Sequence, residues 1–236
     1  MQSRLYKAGW KLLDALFPPS CAGCGAWGDR YCPTCFENTQ VIKDPICQIC
    51  GDLIYAQGEV ICARCRSWDV AFTAIRSWAV FEDPLQVAIH KLKYQQDRGL
   101  GEILAQPLIE LLNKFHWKID HIIPVPLDKN RRKQRGYNQA ALLAKPISWN
   151  TGIPYSGRIL VREKVTRQQV GLSISERKAN MAGAFSANTS QASGKTFLVI
   201  DDVITTGSTI NACAKALISA GANQVFGLTL ARSAHI

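Results

Sequence analysis

No apolar run in this 236-residue chain approaches the ~18 residues needed to cross a bilayer. The longest runs, such as Phe197 to Ile200, are strand-length. The first seventeen residues intersperse Arg4, Lys7, Lys11 and Asp14 among apolar residues, so the uninterrupted stretch of a signal peptide is missing. They read as a short amphipathic helix, and the chain as cytosolic. Histidine is scarce: His90, His116, His121 and His235 have no spacing that marks a metal site or a triad. A Walker A loop is absent too, because Thr189 stands where Ser193-Gly194-Lys195-Thr196 would need a glycine, and a strand follows instead of a helix. Interleaved aromatic and basic residues marking a single-strand groove are also lacking, although Trp68, Trp78, Tyr94 and Tyr137 have rings that bases stack on. With 47% hydrophobic and 19% charged residues, neither disorder nor a fibrous repeat fits.

Positive charge, by contrast, is in excess and unevenly spread. Of a formal +10, residues 126–180 carry +9, from twelve basic and three acidic side chains. That region attracts anions, and both a polyphosphate metabolite and a nucleic acid qualify. Cysteine is in excess as well. Eight of nine fall into C-x2-C pairs: Cys21/Cys24, Cys32/Cys35, Cys47/Cys50 and Cys62/Cys65. Without a secretory leader, thiolate zinc sites are the reading, one or two ions, and four sulfurs per ion leave no open position, so the zinc is structural. A repeated unit, a C-x2-C-G knuckle followed by a plain C-x2-C knuckle, suggests two sequential ribbons, with an interleaved cross-brace as the alternative. Cys213 lies on the apolar face of a predicted helix, where it is core.

Past residue 70 strands alternate with helices, which predicts an α/β fold with a mainly parallel sheet and ligands beyond the carboxyl ends of its strands. Expected elements are one or two strands in 71–81, a helix started by Pro84, a second through Leu104 and Leu112, and a strand over 119–125. A basic loop over 127–136 and a helix from Asn138 to about Ala144 come next. A strand over 195–200, a helix over 209–220 and a strand over 225–231 complete the set. The densest chemistry is residues 197–209, Phe-Leu-Val-Ile-Asp-Asp-Val-Ile-Thr-Thr-Gly-Ser-Thr. Thr205, Thr206, Gly207, Ser208 and Thr209 would wrap a phosphate monoester at a helix N-terminus. Asp201 and Asp202 would face the hydroxyls of the sugar that carries it and hold a divalent cation. Phosphate below and diol above describes a ribose 5-phosphate.

This stretch resembles the phosphoribosyl pyrophosphate loop of type I phosphoribosyltransferases. Pro124-Val125-Pro126, Arg-Gly-Tyr-Asn-Gln at 135–139, Gln-x-Gly-Leu-Ser at 169–173 and Glu-Arg-x-x-Asn at 176–180 extend the likeness. With the cysteine-rich ribbon in front, the whole chain resembles the ComF/ComFC (GntX-like) family. The resemblance implies a zinc-ribbon region, 1–69, before a phosphoribosyltransferase-like domain, 70–236. It implies binding of phosphoribosyl pyrophosphate with Mg2+, with Asp201 and Asp202 catalytic. Arg131, Arg132, Arg135, Asn138 and Gln139 would hold pyrophosphate, and Arg167, Gln169 and Arg177 would lie in a hood closing over the substrate. A role in DNA uptake or use of imported DNA follows, with single-stranded DNA and uptake or recombination proteins as partners. A nucleobase-salvage enzyme and a DNA-binding accessory with a sensing or vestigial pocket are the alternatives.

Overall fold

The computed structural model describes residues 18–55, 58–95, 97–163 and 183–233. Two short helices, α1 (Pro33–Glu37) and α2 (Ala63–Ser67), each carry the last cysteine of a ribbon. There follow β1 (Ala74–Val80), α3 (Leu85–Tyr94), α4 (Leu100–Asn113), β2 (His121–Pro124), α5 (Lys129–Arg135) and α6 (Gln139–Thr151). The hairpin of β3 (Leu160–Arg162) and β4 (Phe185–Ala187), then α7 (Thr189–Ala192), β5 (Thr196–Ile204), α8 (Ser208–Ser219) and β6 (Gln224–Arg232) complete the order. The main sheet is all parallel, in the order β1-β6-β5-β2, as the alternation of elements leads one to expect.

Strand alternation decides which residues meet which helices. On β5, Leu198 and Ile200 join one apolar layer, with Leu85, Ile89 and Leu92 of α3 and Leu143 and Ile147 of α6. Phe197 and Val199 join the other, with Ile210, Cys213 and Leu217 of α8. Residues 71–81 hold one strand, within the one or two expected. Two expectations change. β5 continues four residues beyond Ile200, because Asp201 and Val203 still pair with Thr229 and Ala231 of β6. The basic loop is helix α5: the Asp128 carboxylate caps it by accepting Arg131 N–H at 2.9 Å, and Gly136 ends it at φ 73°.

The ribbons are built into this sheet. Strand β1 is an edge, and the cysteine-rich segment covers it: Ile75 N–H donates to Ile49 O at 2.7 Å, Val80 N–H to Gln40 O at 2.9 Å, and Ile42 N–H to Trp78 O at 3.0 Å. The first ribbon contributes Cys21, Tyr31 and Cys35 to one apolar layer; the second contributes Cys47, Cys50 and Cys65 to the other. Buried Arg232, at the carboxyl end of β6, donates to the Cys50 carbonyl and faces Asp52 at 3.6 Å.

The repeat supplies its own control for this docking. Gly25 and Gly51 follow equivalent cysteines at φ 81° and 71°, but a Cβ on Gly25 meets nothing within 4 Å, whereas one on Gly51 stands 2.6 Å from Ile75 O. Gly25→Ala should cost only the left-handed backbone strain, about 1–2 kcal/mol. Gly51→Ala adds a clash with sheet backbone and should cost about 2 kcal/mol more, read as a clearly lower Tm in parallel thermal melts.

Candidate functional site

The eight paired cysteines form two clusters, Cys21, Cys24, Cys32 and Cys35, and Cys47, Cys50, Cys62 and Cys65, whose sulfurs within each lie no more than 4.8 Å apart. The pairing is sequential, not interleaved. Tetrahedral zinc with bonds of about 2.3 Å separates its sulfurs by about 3.8 Å. Cys21 and Cys35 stand 3.5 Å apart, Cys24 and Cys32 3.6 Å, and Cys50 and Cys62 3.7 Å. The donor sets therefore fit zinc. Cys32 N–H donates to Cys21 Sγ and Cys62 N–H to Cys47 Sγ, as thiolates require. The clusters differ in surroundings. Cys24 is exposed, while Cys50 is buried with the Arg64 guanidinium 3.7 Å from its sulfur. The hydrogen bond from Cys65 pulls the Cys50 thiol down to about 4 against the effect of burial, with Arg232 adding to the shift.

At the carboxyl end of β5 a cavity of about 300 Å³ is lined by Phe81, Lys93, Asp201 and residues 203–210. The turn from β5 to α8 is a set of small groups in close contact. Gly207 adopts φ 85° as the residue before the helix, Thr206 and Ser208 share a hydroxyl contact of 2.7 Å, and Ser208 N–H donates to Thr206 Oγ1. With the helix N-terminus behind it, the turn is a ready anion site. The second ribbon reaches it. Trp68 ends α2, and a Cβ at Gly207 would sit 3.5 Å from its ring. The Asn211 side chain of α8 clamps the chain just beyond, accepting Ala71 N–H at 2.7 Å and donating to Asp69 O at 3.1 Å.

The paired aspartates do not act alike. Both are expected to project into the pocket, but β5 runs through them, so they leave opposite faces of the sheet. Asp201 faces the cavity. Asp202 is 4% exposed and is held by Lys93 and by Gln139 Nε2 at 3.2 Å. Burial, with the neighbouring Asp202 charge, raises the Asp201 carboxyl well above the usual carboxylate range. Burial raises Asp202 as well, but Lys93 and the Gln139 and Asp201 hydrogen bonds outweigh it and hold Asp202 low.

The basic run divides. Arg131 pairs with Asp128 at 3.3 Å. Arg135 is buried, bonded to Gln139 Oε1 at 2.9 Å and Tyr94 Oη at 3.1 Å and stacked on the Tyr94 ring. Arg132 lines a different cavity. Asn138 caps α6 through Ala140 N–H and donates to Val125 O. Of the residues expected to hold pyrophosphate, only Arg135 and Gln139 connect to the aspartates, through the chain Tyr94-Arg135-Gln139-Asp202-Lys93. Arg167, Gln169 and Arg177 lie outside the described residues. Sequence reasoning missed Lys93, the cation that does line the turn cavity. It stands beside Leu92 at the end of an amphipathic helix, with no local motif to single it out.

The double zinc ribbon domain family matches residues 12–66, and the phosphoribosyl transferase domain family residues 94–235. Competence protein F of Haemophilus influenzae is 34% identical over 203 residues, covering 82% of this chain and 87% of that protein. The DNA utilization protein YhgH of Escherichia coli K12 is 31% identical over 208 residues, covering 85% and 88%. Competence protein ComFC of Bacillus subtilis is 27% identical over 219 residues, covering 87% and 85%. Among solved structures, glutamine phosphoribosylpyrophosphate amidotransferase from B. subtilis aligns at TM-score 0.37 and 23% identity, over 62% of this chain and 27% of that one. Adenine phosphoribosyltransferase from Thermoanaerobacter pseudethanolicus aligns at 0.36 and 16%, over 58% and 83%.

Two outcomes follow from the site. Native mass spectrometry should find two zinc ions per chain, and their removal by a chelator should raise hydrogen exchange at 205–209 as well as in the ribbons, because Trp68 loses its support. For pH, the sign follows from Asp201. A sugar diol donates to a carboxylate but not equally to a carboxyl group, so binding draws off the proton that burial retains. Affinity for ribose 5-phosphate should rise as pH passes above the ordinary carboxylate range and then level off. Titration calorimetry at several pH values should show Asp201→Asn flattening that rise down to the share set by the phosphate's own ionisation.

Proposed function

The chain belongs to the ComF family, phosphoribosyl transferase domain proteins with a double zinc ribbon, and on that premise we propose that it binds phosphoribosyl pyrophosphate with Mg2+ and serves the use of imported DNA. The observation that carries this reading is the single cavity joining the Thr205–Thr209 turn, the Asp201 carboxylate and the Lys93 ammonium. The turn takes the 5-phosphate on backbone N–H groups and on the Thr206 and Ser208 hydroxyls. Asp201 accepts from the ribose hydroxyls. Lys93, fixed by Asp202, presents positive charge to the diphosphate, the role that charge counting assigns to the α5 arginines. Mg2+ bound with the ligand would neutralise further diphosphate charge.

In a transfer reaction the bond between the anomeric carbon and the pyrophosphate oxygen breaks, pyrophosphate leaves with that electron pair, and an acceptor atom closes on the carbon. Lys93 stabilises the leaving group and Asp201 the positive charge that builds on the sugar ring. Asp202 and Gln139 touch neither; they orient Lys93, with Arg135 and Tyr94 behind them. The DNA part of the proposal rests on the relatives named for competence and DNA utilization.

Calorimetry separates these roles. Lys93→Met should weaken phosphoribosyl pyrophosphate about tenfold or more while changing ribose 5-phosphate little, since only the former carries the diphosphate. Neutralising Arg131, Arg132 and Arg135 together should weaken it less than Lys93→Met. Equal loss of both ligands in Lys93→Met would remove Lys93 from the diphosphate, and no binding of either by the wild type would overturn the reading.

A further inference from the structure

A second cavity, about 340 Å³, opens at the carboxyl end of β2 and shares no lining residue with the one at the turn. Three cations from three parts of the chain line it: Arg98 before α4, Arg132 of α5 and Lys145 of α6. All three are exposed, and among the described residues none is in an ion pair. Among the described residues, no carboxylate lines the cavity. Its aromatic walls already serve to place the charges: the Arg98 guanidinium lies 5.4 Å over the Tyr137 ring and the Lys145 ammonium 5.8 Å over the Tyr155 ring. Burial raises the Tyr155 phenol, and the charge of Arg132 opposes that rise, so Arg132 acts on the same wall.

Three like charges held around one concavity repel each other, and each arginine or lysine on the open surface is free to turn outward. Ring stacking holds two of them in place instead. An anion with two or more charges in a compact chain removes the repulsion and accepts from several donors at once, which a single carboxylate does not. The volume lies at the small end of ligand pockets, about 300–1,000 Å³, and suits a nucleotide better than a polymer. Pro124, Pro126 and Leu127 on the same lining offer an apolar surface for a nucleoside beside the charged rim.

We propose that this cavity is a second anion site, separate from the phosphate turn, that takes a nucleoside diphosphate, with the diphosphate on Arg98, Arg132 and Lys145 and the nucleoside against the prolines. The site stands whether or not the turn takes phosphoribosyl pyrophosphate, since no side chain is common to both.

Calorimetric titration of ADP, pyrophosphate and adenosine into the zinc-loaded full chain at low salt tests it. ADP should bind, pyrophosphate more weakly and adenosine not detectably. Arg98→Gln with Lys145→Gln should weaken ADP about tenfold or more. Because both side chains are exposed, its Tm should match that of the wild type, which separates lost binding from lost fold. Thr206→Ala with Ser208→Ala should leave ADP affinity within about twofold, and saturating ribose 5-phosphate should not displace ADP. Absence of ADP binding at millimolar concentration, or unchanged affinity in the Arg98/Lys145 variant, would overturn the proposal. So would displacement of ADP by ribose 5-phosphate, which would move it to the turn. Pyrophosphate binding as tightly as ADP would sink the nucleoside half, and adenosine binding as tightly would sink the diphosphate half.

Discussion

The Arg232 guanidinium, buried at the carboxyl end of β6, donates to the carbonyl of Cys50 and faces Asp52. A buried cation in this position is tolerable only while its partners stay fixed, because removing one side of such a contact leaves an uncompensated charge, at a cost of about 3–5 kcal/mol. Four thiolates around a metal fix them. Cys50 is the second ligand of its cluster, Asp52 is held from the other side by Arg64 at 2.8 Å, and the Ile49 carbonyl just before them accepts the Ile75 N–H of the edge strand. Metal binding, edge coverage and the end of the sheet are therefore one structural unit. The same unit carries Trp68 to the back of the 205–209 turn, so the ribbon supports the site proposed to take phosphate.

Alternation across β5 governs the other half of the molecule. Two consecutive carboxylates on a strand cannot share a face, and the consequences differ by side. On the α3 and α6 side, Asp202 ionises because Lys93 and Gln139 compensate its burial. On the α8 side, burial and the neighbouring Asp202 charge outweigh the Lys93 charge, so Asp201 retains its proton more strongly. The strand thus divides a like-charged pair into one carboxyl held low by its partners and one raised by burial. Had β5 ended at Ile200, both carboxyls would have stood in the open with little to distinguish them.

That division shows what the sequence carried and what it did not. Alternation of elements was enough for a mainly parallel sheet and periodicity for the buried face of Leu85, Ala88, Ile89 and Leu92, while the cysteine repeat favoured the sequential pairing and left the interleaved one open. The turn at 205–209 was legible because strand, glycine and helix start are contiguous. The contacts that complete the site are not local. Lys93 meets Asp202 across 109 positions and Trp68 meets Gly207 across 139, and neither residue type marks itself out in its own helix. The basic stretch misled in the opposite way, since counting charge cannot tell that Asp128 turns residues 129–135 into a helix and so points successive arginines in different directions.

Charge placement then separates two kinds of anion attraction in one chain. Lys93 is largely covered, with 21% of its side chain exposed, so its charge is screened less than one on the open surface. Arg132 and Lys145 are open to solvent, where a Debye length of about 8 Å at physiological ionic strength limits their reach. Salt therefore weakens the field of the exposed set more than that of the covered cation. Among the described residues, Arg132 and Lys145 of the basic stretch face outward, while the proposed chemistry at the turn depends on Lys93, outside that stretch.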